Sequence, residues 1–267
     1  MNGIRFAGMA FLLSLVFFLF SGMLQEEENP PAPGFNLKES DPKAIEIADA
    51  VMRALGGRKN WDNTRYITWN FFGLRRHVWD KWTGNIRVES GDLVILMNLN
   101  TKKGNAWKGG KPITHPDSLK KVLDQGYYFW VNDSYWMFMP YKLKDTGVTL
   151  KYLGEGTMKN GRPAHILQLT FNNVGVTPEN KYHVYVDRET YLVGQWEYYR
   201  KASDKKPTID APWNNWQRYG NIMLATDRGA RKHSDIGVFD ELPESIFTRP
   251  DPVDYKALLN QQKASKE

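Results

Sequence analysis

The sequence predicts a mostly β, α+β domain: a single large curled antiparallel sheet, a half-barrel, wrapped around two or so helices. Three observations carry this. Between Arg65 and Phe239 the chain is a series of short stretches rich in aromatic and β-branched residues, divided by Gly- or Asn-containing breaks. Only two segments show the helical period. The breaks are too short for crossover connections, which favours a meander. An open sheet of so many strands must curl, and two helices are too few to cover both of its faces.

In chain order, Ser40 or Asp41 is placed to cap a helix with Pro42 at its first position. Ala44, Ile45, Ile47, Ala48, Val51, Met52 and Leu55 then recur at helical spacing, and Gly56-Gly57 ends the run. Strands are expected over Arg65–Phe72, Arg75–Trp82, Asn85–Ser90, Asp92–Leu99 and Lys103–Lys108. Asp117–Trp130 reads as the second helix, with Leu119, Val122, Leu123 and Tyr127 on one face. Asn132–Tyr141, with Trp136 and Phe138 alternating before Pro140, reads as a strand. Further strands are expected over Thr149–Gly154, Pro163–Phe171, Lys181–Asp187 and Tyr191–Arg200. Ala202–Pro212 reads as a polar loop, and Trp213–Tyr219, Asn221–Ala225, Arg231–Ser234 and Gly237–Phe239 finish the sheet. There is no internal repeat, so residues 42–249 form one domain, followed by a polar tail over 250–267.

Candidate binding residues are aromatic. Ile67, Trp69 and Phe71 share one face of their strand, and Trp79 and Trp82 fall on opposite faces of the next. Rings of this kind either pack a core or line a cavity for an apolar ligand. Trp69, Phe71, Trp79, Trp130, Trp136, Phe138 and Trp196 are the candidate cavity lining. Trp213, Trp216 and Tyr219 lie next to a polar loop among Asn214, Asn215 and Gln217, and form a candidate surface aromatic patch.

Catalytic and metal signatures are sparse. The chain has no cysteine, which removes disulfides, thiolate metal sites and thiol nucleophiles. It has no G-x-S-x-G, P-loop or H-E-x-x-H. Its five histidines, His77, His115, His165, His183 and His233, have no metal-binding spacing. Asp80, Glu89, Glu155 and Glu197 sit on strands, and a glycosidase would need two of them facing across a cleft. No cofactor and no metal are expected.

The N-terminus carries an address. Arg5 precedes the unbroken apolar run Met9–Phe20, then Ser21-Gly22 and an acidic stretch. This describes a secretory signal over 1–24, cleaved near Gly22–Gln25 or kept as an anchor. Residues 25–41, with Pro30, Pro31, Pro33 and Gly34, read as an extended tether. Export to the periplasm or cell envelope argues against a nucleic-acid partner. The net charge of +6 leaves an anionic membrane surface as a candidate partner.

The export signal, the early helix ending in Gly56-Gly57, Trp61, the Trp69/Phe71 strand, the inserted helix and the late strand Thr190–Trp196 together resemble the superfamily of periplasmic lipoprotein carriers and lipoprotein-sorting-like proteins. Uncharacterised envelope proteins of this kind carry Trp-x-x-Trp-x-x-Tyr-Gly, here Trp213, Trp216, Tyr219 and Gly220, and a Leu-Pro-Glu-Ser-Ile-Phe ending, here Leu242–Phe247. The resemblance spans most of Pro42–Phe247. It implies a curled sheet around helices with an apolar cavity, and a non-enzymatic protein that binds a lipid or another apolar small molecule. A carbohydrate-binding or carbohydrate-acting protein, using exposed tryptophans and paired carboxylates, is the alternative. A third reading is an assembly factor that pairs a sheet edge with a partner strand.

Overall fold

The structure, a computed structural model, describes residues 28–172 and 177–264. The expected export signal lies outside the described residues. Helices α1 (Pro42–Ala54) and α2 (Arg58–Asn63) precede strands β1 (Tyr66–Phe71), β2 (Arg75–Asp80), β3 (Asn85–Ser90), β4 (Leu93–Asn98), β5 (Gly104–Lys108) and β6 (Lys111–Pro112). Helix α3 (Pro116–Phe138) follows. Then come β7 (Val148–Thr157), β8 (Pro163–Phe171), β9 (Lys181–Asp187), β10 (Val193–Tyr199) and β11 (Ile209–Pro212). The chain closes with β12 (Asn214–Tyr219), β13 (Ile222–Asp227), β14 (Ser234–Phe239), α4 (Ser245–Thr248) and α5 (Tyr255–Ala264).

The fold is mostly β and antiparallel, but its strands divide among three sheets where one was expected. Their orders are β14-β1-β2-β3-β4-β5-β6, β11-β10-β9-β8-β7 and β12-β13. The division comes where α3 interrupts the meander between β6 and β7. A second break comes at Pro212, which ends β11 and has no N–H to continue a ladder. Strand β14 returns to pair with β1, with Ile67 opposite Val238.

Helix α3 is the largest departure from expectation. Asn132–Phe138 is helical, and only Met139–Lys142 tightens into a 3-10 turn. The buried positions Leu123, Gly126, Asp133, Ser134, Met137 and Phe138 recur every three or four residues, which is the helical period. The alternation of Trp136 and Phe138 is incidental to it. On one side α3 packs on β4 and β5. Gly126 permits this approach, since a Cβ there would lie 3.0 Å from two carbons of Ile95.

Both chain ends of the domain are held more firmly than their composition suggests. The later part of the tether expected over 25–41 lies against β7: the Asn36 amide donates to the Val148 carbonyl (3.0 Å) and the Asp41 amide to that of Leu150 (2.9 Å). The Asp41 side chain does not cap α1. It accepts from the Tyr152 amide (3.0 Å) and pairs with Lys151. Beyond Arg249 the expected polar tail contains α5. Buried Arg87 donates to the carbonyls of Ile246, Arg249, Pro250 and Asp251 and pairs with Glu89, clamping this segment over β3. Of the strand expected over Arg231–Ser234, Lys232 forms an isolated bridge to Asp227, and Ser234 already opens β14.

The C-terminus of α1 docks on β13 through the Leu55 carbonyl, which accepts from the Met223 amide and the Tyr141 hydroxyl, both at 3.0 Å. Gly56 makes the turn possible. Its φ is +110°, and an added Cβ would sit 2.4 Å from the Asn221 carbonyl oxygen. Gly56→Ala therefore costs more than the roughly 1–3 kcal/mol of a strained backbone alone. Urea unfolding of the variant measures it, and a loss under about 0.5 kcal/mol contradicts this packing.

Candidate functional site

One face of α3 presents Tyr127, Tyr128, Val131, Ser134 and Tyr135, with Trp130 and Trp136 on its flanks, at i, i+3/i+4 and i+7/i+8 spacing. Opposite it, β8, β9 and β10 present Phe171, Tyr182, Trp196 and Tyr198. Trp196 and Tyr198, two residues apart, share a face of their strand. Between helix and sheet lies a pocket of about 370 Å³. Ile209 of β11 and Val148 of β7 add aliphatic surface, and Asn132, Lys142, Asp145, Thr146 and Asn180 bring polar groups.

The rings lock one another. Tyr182 and Trp196 are parallel, 8° between planes and 5.1 Å between centroids. Trp136 meets Trp196 edge-on at 4.6 Å, and Phe171 meets Tyr182 edge-on at 5.6 Å. Tyr135 leans on Tyr182 at 5.2 Å. Such edge-to-face and offset contacts fix ring positions as well as burying area. The charges within the lining are balanced: Lys142 Nζ donates to Asp145 Oδ2 at 2.9 Å. Asn180 is held by Thr177 (2.6 Å) and accepts from the Tyr198 hydroxyl (3.3 Å). Burial pushes the Tyr135 and Tyr182 hydroxyls above the ordinary tyrosine range, so both stay protonated. The Tyr135 hydroxyl and the indole N–H groups of Trp130 and Trp196 have no hydrogen-bond partner among the described residues.

Of the seven rings read from the sequence as a lining, the structure brings Trp130, Trp136 and Trp196 to this pocket. Trp69, Phe71, Trp79 and Phe138 do not line it, because α2 and α3 cover the inner face of the seven-stranded sheet. Trp69 and Phe138 are fully buried and meet edge-on at 5.1 Å. Trp79 packs on Phe138 and Trp130, and Phe71 on Phe72. The expected surface patch is also corrected: Trp213 is wholly buried. Its ring meets Trp196 edge-on at 5.5 Å and carries the Arg228 guanidinium 3.5 Å above it. Trp216 is half-buried, its indole N–H donating to the Val193 carbonyl (2.9 Å), and Tyr219 is half-buried. Tyr135, Phe171, Tyr182 and Tyr198 were missed. The strand alternation of the last three was readable, but reading Asn132–Tyr141 as a strand hid the helix that carries Tyr135 and that they face.

Elsewhere, β1 and β2 pair Trp69 with His77 and Phe71 with Arg75, which puts all four on the face toward α3. There Asp133, fully buried, accepts from Arg75 Nε (2.6 Å) and Nη2 (2.9 Å), from His77 Nε2 (2.7 Å) and from Asn132 (2.9 Å). The four carboxylates considered for acid–base work are each engaged separately. Asp80 pairs with Arg65, Glu89 with Arg87, and Glu155 with Arg188. Glu197 accepts from Tyr185 and Tyr199 and lies 3.1 Å from His183 Nδ1. Among the described residues no group of three or more His, Asp or Glu side chains is placed to hold a metal ion.

No protein-family model matches the chain, and no curated protein matches it. Solved structures do. A DUF1329 family protein from Desulfovibrio piger is similar at 13% identity, with 78% of this chain and 98% of that chain covered and a TM-score of 0.41. An uncharacterized conserved protein from Thermus thermophilus is similar at 11% identity, 80% and 96% coverage and a TM-score of 0.27. The MucA/MucB complex of Pseudomonas aeruginosa is similar at 15% identity, 67% and 64% coverage and a TM-score of 0.24. At these scores the likeness is loose.

Proposed function

We propose that this is an exported envelope protein that holds a lipid or another apolar molecule, without catalysing a reaction on it, in the pocket between α3 and the five-stranded sheet. On this reading the two larger sheets act as the walls of a half-barrel around α3, and the guest completes the interior. The observation that carries the proposal is the aromatic-walled cavity of about 370 Å³. It sits at the low end of the roughly 300–1,000 Å³ of small-molecule pockets. A single small molecule or the end of one chain fits it, at about 0.8 kcal/mol for each methylene buried. The excess of basic residues would assist approach to an anionic membrane. The carbohydrate alternative loses support, because Trp213 is internal and the carboxylates it needed are engaged one by one.

Calorimetric titration of the purified protein with decanol and with naphthol tests this. Saturable one-to-one binding of either is expected. Ile209→Trp, which fills the pocket from the edge strand β11, abolishes it while the circular dichroism spectrum is unchanged. Absence of binding by both, or equal binding by the filled variant, overturns the proposal.

A further inference from the structure

The geometry points to a flat, uncharged, conjugated ring system as the preferred guest of this pocket, over a straight acyl chain or a cation. The inference rests on the binding proposed above and narrows its chemistry. Pockets that serve flexible alkyl chains gain from pliable aliphatic and methionine walls. Among the described residues the lining holds Val131, Val148 and Ile209 as aliphatics and no methionine, against nine aromatic side chains.

The arrangement of those rings selects shape. Tyr182 and Trp196 form a parallel pair on the sheet, while Phe171 and Trp136 stand within 10° of perpendicular to it. A planar guest can lie parallel to the pair and present its electron-poor edge to the perpendicular rings. A twisting alkyl chain matches neither orientation. Electron-rich rings also attract cations, but an organic cation needs a counter-charge, and the carboxylate of the lining, Asp145, is already neutralised by Lys142 at 2.9 Å. The uncharged polar side chains of the lining, Asn132 and Asn180 among them, suit a neutral guest carrying a hydroxyl or carbonyl group.

The test compares naphthol, decanol and tetramethylammonium by calorimetry on the full chain. Naphthol and decanol share a carbon count and a single hydroxyl. Burial alone favours decanol, whose saturated chain has the larger apolar surface. Tighter binding of naphthol is therefore the expected result and cannot come from area. Tyr182→Leu and Tyr198→Leu keep the walls apolar but remove ring faces; each weakens naphthol by about fivefold and leaves decanol unchanged or improved. Tyr198 is half-buried, so its variant remains informative if Tyr182→Leu fails to fold. Tighter binding of decanol overturns the ring preference and leaves the apolar-carrier proposal standing. Tighter binding of tetramethylammonium overturns it in favour of a cation cage. Binding of none of the three overturns both.

Discussion

Asp133→Ala removes about 3–5 kcal/mol of stability, a large part of the roughly 5–15 kcal/mol that a domain has. The carboxylate sits in α3 with no exposure and takes four hydrogen bonds, two of them from Arg75. Burial alone would raise its pKa. The bonds from His77, Arg75 and Asn132 outweigh this and hold it below the usual carboxylate range. Alanine leaves the Arg75 guanidinium between the Phe71 and Phe129 rings, 16% exposed, with no counter-charge. It also leaves both nitrogens of the fully buried His77 unpaired, since Nδ1 already has no partner among the described residues. Replacing the whole set by apolar residues, Arg75→Met, His77→Phe and Asp133→Leu together, strands no charge and costs far less than the single change. Urea unfolding of the single and triple variants measures both. A single-variant loss below about 1 kcal/mol would show that the cluster is already hydrated.

Most of the fold was legible because it is local. The strands up to β5 follow period-two patterns broken by glycine and asparagine, and α1 follows its apolar spacing to Gly56. What was not legible depends on pairs far apart in the chain. Asp133 fell within the stretch Asn132–Tyr141 that reads as a strand, and only its partners on β2 explain a buried carboxylate in the helix that forms there. Arg87 alternates with Ile86 and Val88, so the pattern points it to solvent. It is buried because residues 246–251 fold back over it. The pocket was half visible for the same reason: Trp130, Trp136 and Trp196 stood out as tryptophans, whereas Tyr135 and Tyr182 acquire meaning only once α3 is known to run past β9.

Lowering the pH from 7 to 5 is expected to cost about 2 kcal/mol through His233 alone. Burial, reinforced by the Arg228 guanidinium, pushes its imidazole down to about 3. Its Nε2 donates to the Trp136 carbonyl (3.3 Å), and its ring packs on Phe72 (4.6 Å) and Phe71 (5.7 Å). Asp133 and His77 also act on it, in opposite senses. The unfolded chain takes up a proton near pH 6.5, whereas the folded one refuses it until about 3. The unfolded state thus binds the extra proton throughout that window, so stability is full above the window and falls as pH drops through it, by about 1.4 kcal/mol per unit. His77, held down by burial against the pull of Asp133, adds a loss of the same sign. The depressed Asp133 carboxyl adds its own loss only in stronger acid, below the ordinary carboxylate range. Urea midpoints at pH 7 and 5 measure the slope, and His233→Gln, which keeps the donor to Trp136 but cannot titrate, removes about one proton from it. Arg228→Met takes away the cation that repels the imidazolium, so the His233 pKa rises and the acid penalty shrinks. Equal stability of the native sequence at the two pH values would mean that the folded protein accepts the proton, and that the His233 ring is not sealed between Phe72 and Trp136 as described.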